Sequence, residues 1–285
     1  MNLGYRVSGK LFWIASYPKS GNTWTRAFIA NLLNEDTDPV DINQLNTGAI
    51  ASSRSWVETG LEFDIDELSH DEVDALRPNA YRWHSQNAAA FEYHKTHDAY
   101  SLNNRGEALF PAEATAGVLL IIRNPLDVAV SFAHHLDVGF EKAIDNMCDP
   151  AFAFCKKGDK IHDQLRQIMF DWSTFYRSWL NSPLPTLVVR YEDMRQRPLE
   201  TFVRIAEYLH LPFTEHEVQL ALDNCALERL QEQEQAKTFR ERSSKAERFF
   251  RKGMVGEGAT TLSVSQVEML CTHHQELMRQ FAYLD

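Results

Sequence analysis

The sequence predicts an α/β fold in which a central parallel sheet carries helices on both faces, and three observations lead there. Apolar runs at 11–15, 118–122 and 187–190 each end in a polar turn and pass into a stretch with helical spacing. Repetition of strand then helix implies parallel strands, because a parallel pair must be joined by a crossover, and such a sheet is buried from both sides. The third observation is size: 285 residues, 44% of them hydrophobic and without a low-complexity run, suffice for one large core, and no shift of composition divides them. Residues 1–285 are therefore read as a single domain.

The first run leads into Ser16-Tyr17-Pro18-Lys19-Ser20-Gly21-Asn22-Thr23-Trp24, followed by a helix over 25–33. A tight turn between strand and helix aims several backbone N–H groups and the positive end of the helix dipole at one point. Lys19, Ser20 and Thr23 add donors around it, which makes a cradle for an anion such as phosphate. Ser, Asn and Thr are also ordinary N-cap residues, so the turn alone does not separate a cradle from a plain helix start. The ATP-binding P-loop shares the plan, but its Lys follows the last Gly and is succeeded by a Ser or Thr that holds Mg²⁺. Here Lys19 precedes Gly21, which is the wrong order for a kinase.

The second run closes on Arg123-Asn124-Pro125, where Asn124 suits an N-cap and Pro125 the first helical turn. A nucleotide hydrolase often carries a metal-binding Asp where Arg123 stands; a guanidinium favours another anion over a metal. Ser131, roughly two helical turns further along, can join Arg123 at a second phosphate, and two separate anion sites imply a doubly phosphorylated nucleotide. The third segment is Phe249-Phe250-Arg251-Lys252-Gly253-Met254-Val255-Gly256-Glu257-Gly258. With Lys245, Arg248, Arg251 and Lys252 it has the make-up of a solvated basic loop, yet Gly253 permits close backbone approach to a ligand. Further helices are expected over 163–180, 198–209, 215–224 and 265–281, with Trp172, Phe175, Trp179 and Phe202 as core. The segments 36–91 and 136–158 fit no simple period and are read as walls of an acceptor pocket, with Phe132, His134, His135, Phe140, Trp83 and Phe91 as lining candidates.

Taken in order, these motifs resemble the cytosolic sulfotransferase family, which uses 3′-phosphoadenosine 5′-phosphosulfate (PAPS) as sulfuryl donor and releases 3′-phosphoadenosine 5′-phosphate (PAP). The resemblance spans nearly the whole chain and implies a P-loop-like nucleotide-binding fold of the sulfotransferase type. By it, Lys19, Ser20, Gly21, Asn22, Thr23 and Trp24 belong to the 5′-phosphosulfate loop, with Asn22 where a Thr is usual. Arg123 and Ser131 fall at the 3′-phosphate, and Phe250, Arg251, Lys252 and Gly253 at its second contact. Leu187-Val188-Val189-Arg190-Tyr191-Glu192-Asp193-Met194 resembles the strand whose Tyr lies by the adenine, which puts Tyr191 on one side of the base and Trp24 on the other. Cys225 and Leu227 stand in a stretch that replaces a family Thr-Ser-Phe near the same base. His94-Lys95-Thr96-His97 resembles the catalytic segment, so that His97 aligns as general base and Lys95 as accessory cation, with His94 as competitor for the base. The implied reaction is in-line attack on sulfur by a hydroxyl of a phenol or alcohol, with Lys19 meeting the charge on the leaving oxygen and no metal required. The acceptor is expected to be a small molecule; the family also sulfates amines.

Two departures from the family stand out. Glu257-Gly258-Ala259 replaces Asp-Trp-Lys, which implies a looser cover over the cofactor. A vertebrate dimer element would fall on Ala259, Ser263-Val264 and Glu268, and its Lys is missing, so monomer and homodimer both stay open. A net charge of −11 argues against nucleic acid or an anionic membrane as partner and requires local cations to attract the donor. Cysteines at 148, 155, 225 and 271 have no metal spacing, and the N-terminus lacks an apolar span of signal or membrane length, so a cytoplasmic location is expected. Two other readings remain: a P-loop-type nucleoside or small-molecule kinase using ATP and Mg²⁺ held by Glu192 and Asp193, and a non-catalytic nucleotide-binding protein in which His97 is dispensable.

Overall fold

The computed structural model describes residues 9–156, 161–243 and 246–284; Lys245 and the end of the 136–158 segment lie outside the described residues. The chain runs β1 (Leu11–Ser16), α1 (Asn22–Leu32), α2 (Arg54–Leu61), α3 (His70–Asn87), β2 (Glu92–Thr96), β3 (Thr115–Ile122), α4 (Pro125–Leu136) and α5 (Phe140–Cys148). It continues with β4 (Ala153–Phe154), β5 (Gln167–Ile168), α6 (Trp172–Leu180), β6 (Thr186–Arg190), α7 (Tyr191–Gln196), α8 (Pro198–Tyr208), α9 (Glu215–Asn224), α10 (Leu227–Lys237), α11 (Glu257–Thr261) and α12 (Val264–Gln280). Four strands form one parallel sheet in the order β2-β1-β3-β6.

Both faces of β1 and β3 are buried, which explains why they read as unbroken apolar runs. On one side Trp13 and Ala15 meet Leu120, Ile122, Trp172 and Trp179; on the other Phe12 and Ile14 meet Leu119, Ile121, Phe28 and Phe202. Each large side chain removed from water contributes about 1.5–3 kcal/mol, so these two layers fix the relative positions of the strand ends.

Several expectations need correction. The helix expected over 163–180 begins only at Trp172, because Asp171 accepts from the Thr174 N–H as its cap (3.0 Å) and the preceding residues pair as β5 with β4. Inside 36–91 lie α2 and α3 instead of loop, and α3 starts with a full capping box between Ser69 and Glu72. Its helical period is disguised because a charged residue, Arg77, is buried on its core side, where Asp98 neutralises it at 2.8 Å. β2 is an edge strand of mixed polarity and α10 buries only Leu230 and Glu234, so neither carries a clear apolar signal. The helices expected over 25–33, 198–209, 215–224 and 265–281 are present as α1, α8, α9 and α12.

Candidate active site

The C-terminal ends of β1, β2 and β3 lie side by side, with Ala15 opposite Thr96 and Ser16 opposite Ile121. Pro18 to Trp24, His97 and Arg123 therefore leave the sheet toward one place, where they line a cavity of about 620 Å³. That is the usual position and size for a ligand site in an open parallel sheet.

The first loop is built by backbone geometry. Lys19 and Gly21 take positive φ values of 66° and 109°, and a Cβ at Gly21 would come within 2.8 Å of the Tyr191 ring. Gly21 caps α1 without a side-chain bond, which leaves the helix start open toward the cavity. Asn22 turns inward: its Nδ2 donates to the Ile14 carbonyl (2.8 Å) and to Ser16 Oγ (3.2 Å), so its side chain staples loop to strand. Ser20 is also buried, its hydroxyl 3.3 Å from the Tyr176 hydroxyl and outside the cavity wall, so it offers a ligand no side-chain donor.

Arg123 ties the loops together. Its Nη1 donates to the Lys19 carbonyl (2.9 Å), its Nη2 donates to the Met254 carbonyl (2.8 Å), and the guanidinium lies 4.3 Å from the Tyr191 ring centre. Its Nε is buried and has no hydrogen-bond partner among the described residues, and the side chain lines the cavity. Ser131 lines the same wall from α4. The basic segment is held by α10: Glu234 accepts from the Phe249 and Phe250 N–H groups (2.7 and 3.0 Å), and Gln231 Nε2 donates to the Phe250 and Arg251 carbonyls. Tyr191 donates its hydroxyl to the Gly253 carbonyl (2.9 Å).

Beyond Gly253 the expected loose cover is tied down. Asp127 accepts from the Gly256 and Gly258 N–H groups (2.8 and 2.7 Å), and Gly258 lies so close to Leu126 that a Cβ would reach its backbone at 2.3 Å. Glu257 pairs with Arg251 through both carboxylate oxygens and with Lys252 at 3.0 Å; those cations hold its carboxyl down to about 2.

Trp24, Tyr191, Cys225 and Leu227 gather at one end of the cavity. The two rings meet edge to face, 6.2 Å apart at 71°, so this wall presents one ring face and one ring edge in place of two parallel faces. Segments 36–91 and 136–158 do supply wall, through Gly48, Ala49, Ile50 and Phe154, but of the six side chains expected to line it His135 alone is on the cavity among the described residues; Phe132 is core, and Phe91 packs against Phe12 at 5.3 Å. The lining that sequence reasoning missed includes Arg26, Gln164, Gln167 and Glu241. The one available signal was Arg26, a charged residue next to the apolar run Ala27-Phe28-Ile29-Ala30 of α1.

The electrostatics favour a polyanion. Burial, then the nearby Lys95, Arg123 and Arg251 charges, push Lys19 down to about 7, and its Nζ rests 3.7 Å from the Phe249 ring centre. Burial, then Lys19 and Lys95, push His135 to about 4. Cations that destabilise one another in this way gain when an anion enters. His97 donates from Nδ1 to the Ser16 carbonyl (2.7 Å), and burial followed by Lys95 pushes it to about 3, so the ring is neutral with its lone pair on Nε2. His94 has both nitrogens engaged, with the Ala49 carbonyl (2.9 Å) and Glu92 (3.0 Å), and lies outside the wall.

The carboxylates offered for a kinase metal are already committed. Glu192 accepts from the Asn124 N–H (3.0 Å) and the Tyr283 hydroxyl (2.8 Å), Asp193 pairs with Arg197 (3.3 Å), and neither lines the cavity. Among the described residues, Asp171, His273 and His274 have donor atoms near one another, but Asp171 caps α6 and His274 Nδ1 bonds Ser173 Oγ (2.9 Å).

An open parallel sheet with a strand-loop-helix cradle, and with further cations and a neutral histidine lining the same cavity, is the arrangement of a transferase for an anionic nucleotide. The sulfotransferase domain matches residues 10–282, and the chain belongs to that family. It is 26% identical over 267 residues to cytosolic sulfotransferase 14 of Arabidopsis thaliana, covering 90% of this chain and 72% of that one. It is 23% identical over 279 residues to flavonol 3-sulfotransferase of Flaveria bidentis, covering 90% and 78%. In fold it is similar to mouse sulfotransferase SULT7A1 complexed with PAP, with a TM-score of 0.60 at 16% identity over 95% of this chain and 85% of that one. It is likewise similar to retinol dehydratase in a complex with retinol and PAP, with a TM-score of 0.60 at 17% identity over 97% and 83%. The protein is a PAPS-dependent sulfotransferase: PAPS is the co-substrate and PAP the product. No helix among the described residues is long and apolar enough to cross a membrane.

Proposed function

We propose that the enzyme moves the sulfuryl group of PAPS to a hydroxyl of a small phenol or alcohol, with His97 as general base. The observation that carries this reading is the Nδ1 bond of His97 to the Ser16 carbonyl, which leaves Nε2 as a proton acceptor in a cavity shared with Lys19 and Lys95. Lys19 and the open start of α1 suit the 5′ end of the donor, while Arg123, Ser131, Arg251 and Lys252 suit its 3′-phosphate. Trp24, Tyr191, Cys225, Leu227 and the Phe250–Gly253 backbone supply a surface for the base.

PAPS supplies the activated sulfuryl group. Nε2 of His97 takes the hydroxyl proton as the acceptor oxygen bonds to sulfur, and the bond from sulfur to the 5′-phosphate oxygen breaks. Lys19 balances the charge left on that oxygen, and Lys95 the charge on the sulfuryl oxygens. The negative charge of the donor also raises the His97 pKa, bringing the base closer to neutral pH. A phenolic acceptor is consistent with the flavonol substrate in the name of one relative. A cytoplasmic place of action agrees with the cytosolic relatives.

Incubation with PAPS carrying labelled sulfur and a library of phenols, alcohols and amines, followed by mass detection, tests the reading and names the acceptor. Sulfated hydroxyl products are expected; transfer confined to amines would overturn the acceptor class. Donor binding should also depend on pH. Lys19 binds an anion only when protonated, and the anion raises its pKa, so above about pH 7 binding takes up a proton. The PAP dissociation constant is expected to rise by up to about tenfold per pH unit between pH 7 and 9 in calorimetry. A constant value across that range would show that Lys19 is charged throughout or faces elsewhere.

A further inference from the structure

Glu241 sits in the cavity wall beside Lys95 and His97, in the segment that follows α10. One carboxylate oxygen meets Lys95 Nζ at 3.0 Å and the other meets Arg26 Nη1 at 2.7 Å. Arg26 is 4% exposed and is fixed from behind, where its Nε donates to Thr47 Oγ1 (3.0 Å). The carboxylate is therefore clamped between a rigid guanidinium from α1 and the ammonium from β2.

His135 from α4 and His97, just past the end of β2, face Lys95 as neutral rings; among the described residues, Arg26 from α1 and Lys19 from the loop after β1 work against its charge. Burial acts in the same direction and pulls Lys95 below the ordinary lysine range, while Glu241 pushes it back up. The two cations hold the Glu241 carboxyl down to about 2, so it is ionised at every working pH.

We propose that Glu241 is a positioning residue for sulfuryl transfer: anchored by Arg26, its carboxylate keeps the Lys95 ammonium charged and aimed into the cavity beside His97. The catalytic half of this statement rests on the proposed role of Lys95; the ion pair itself does not.

The test compares wild type with Glu241→Gln and Glu241→Asp, each checked for folding by PAP binding. Lysines labelled by ¹³C reductive dimethylation are titrated by NMR, with Lys95→Arg identifying the Lys95 signal. The Lys95 midpoint is expected to fall by about one pH unit or more in Glu241→Gln and by less in Glu241→Asp. In parallel, transfer from PAPS to 2-naphthol is followed from pH 6 to 9 as the ratio of variant to wild type. That ratio is expected to stay within about threefold at pH 6 and to fall by about tenfold or more toward pH 9, with partial recovery in Glu241→Asp. An unmoved Lys95 midpoint would overturn the proposal, and a moved midpoint with a pH-independent ratio would reduce Glu241 to a structural clamp. If wild type transfers sulfate neither to 2-naphthol nor to any member of the phenol, alcohol and amine library while the midpoint still moves, the sulfotransfer reading fails and the ion pair stands. Should Glu241→Gln not fold, Glu241→Asp decides alone by the direction of both shifts.

Discussion

Replacing His97 by alanine is expected to lower turnover by about 10²- to 10⁴-fold while changing PAP affinity by no more than about twofold. The split follows from what the ring touches. Its Nδ1 is spent on the Ser16 carbonyl and makes no charged contact, so the ring contributes little to holding an anion. Nε2, by contrast, has no replacement nearby. His94 is occupied at both nitrogens, and His135 is pushed to about 4 by burial and by the Lys19 and Lys95 charges. Steady-state turnover and PAP calorimetry on the same preparation check the prediction; unchanged turnover would remove His97 from the mechanism and revive a purely nucleotide-binding role.

Arg123→Ala is expected to weaken PAP binding by about 10- to 150-fold, the equivalent of about 1.5–3 kcal/mol for a lost charge-assisted contact. Two effects combine in that number. The guanidinium, whose Nε has no partner among the described residues, is proposed to meet the 3′-phosphate, while Nη1 and Nη2 hold the Lys19 and Met254 carbonyls and so join the two loops. A nucleotide without the 3′-phosphate feels only the loosened loops, so its affinity should fall by much less. Equal losses for the two nucleotides would mean that Arg123 acts only as a tie between loops and leaves the 3′-phosphate to Arg251 and Lys252.

What could be read from the sequence depended on how far a residue's job is fixed by its neighbours along the chain. β1 and β3 were legible because both faces are buried, and the loop before α1 because Gly21, at positive φ and against the Tyr191 ring, leaves no room for a side chain. The edge strand β2 was not, since it mixes Glu92, His94 and Lys95 with Tyr93, and His97 at its end emerged only through family resemblance. Ser20 reads as a ligand donor and Asn22 as a nucleotide-loop residue, but the Ser20 hydroxyl meets Tyr176 and the Asn22 Nδ2 bonds Ile14 and Ser16, a choice made by partners distant in sequence or hidden by the turn. Glu241 lies in a polar stretch with no period, and only the fold brings it to Arg26 and Lys95.

The central claim is that one cavity grips both ends of the nucleotide through separate cation clusters, and a crystal structure with PAP tests it most directly. The 5′-phosphate is expected at the start of α1 beside Lys19, and the 3′-phosphate against Arg123 with Arg251 or Lys252. A ribose phosphate turned to solvent, with Arg123 still bonded only to the Lys19 and Met254 carbonyls, would contradict it.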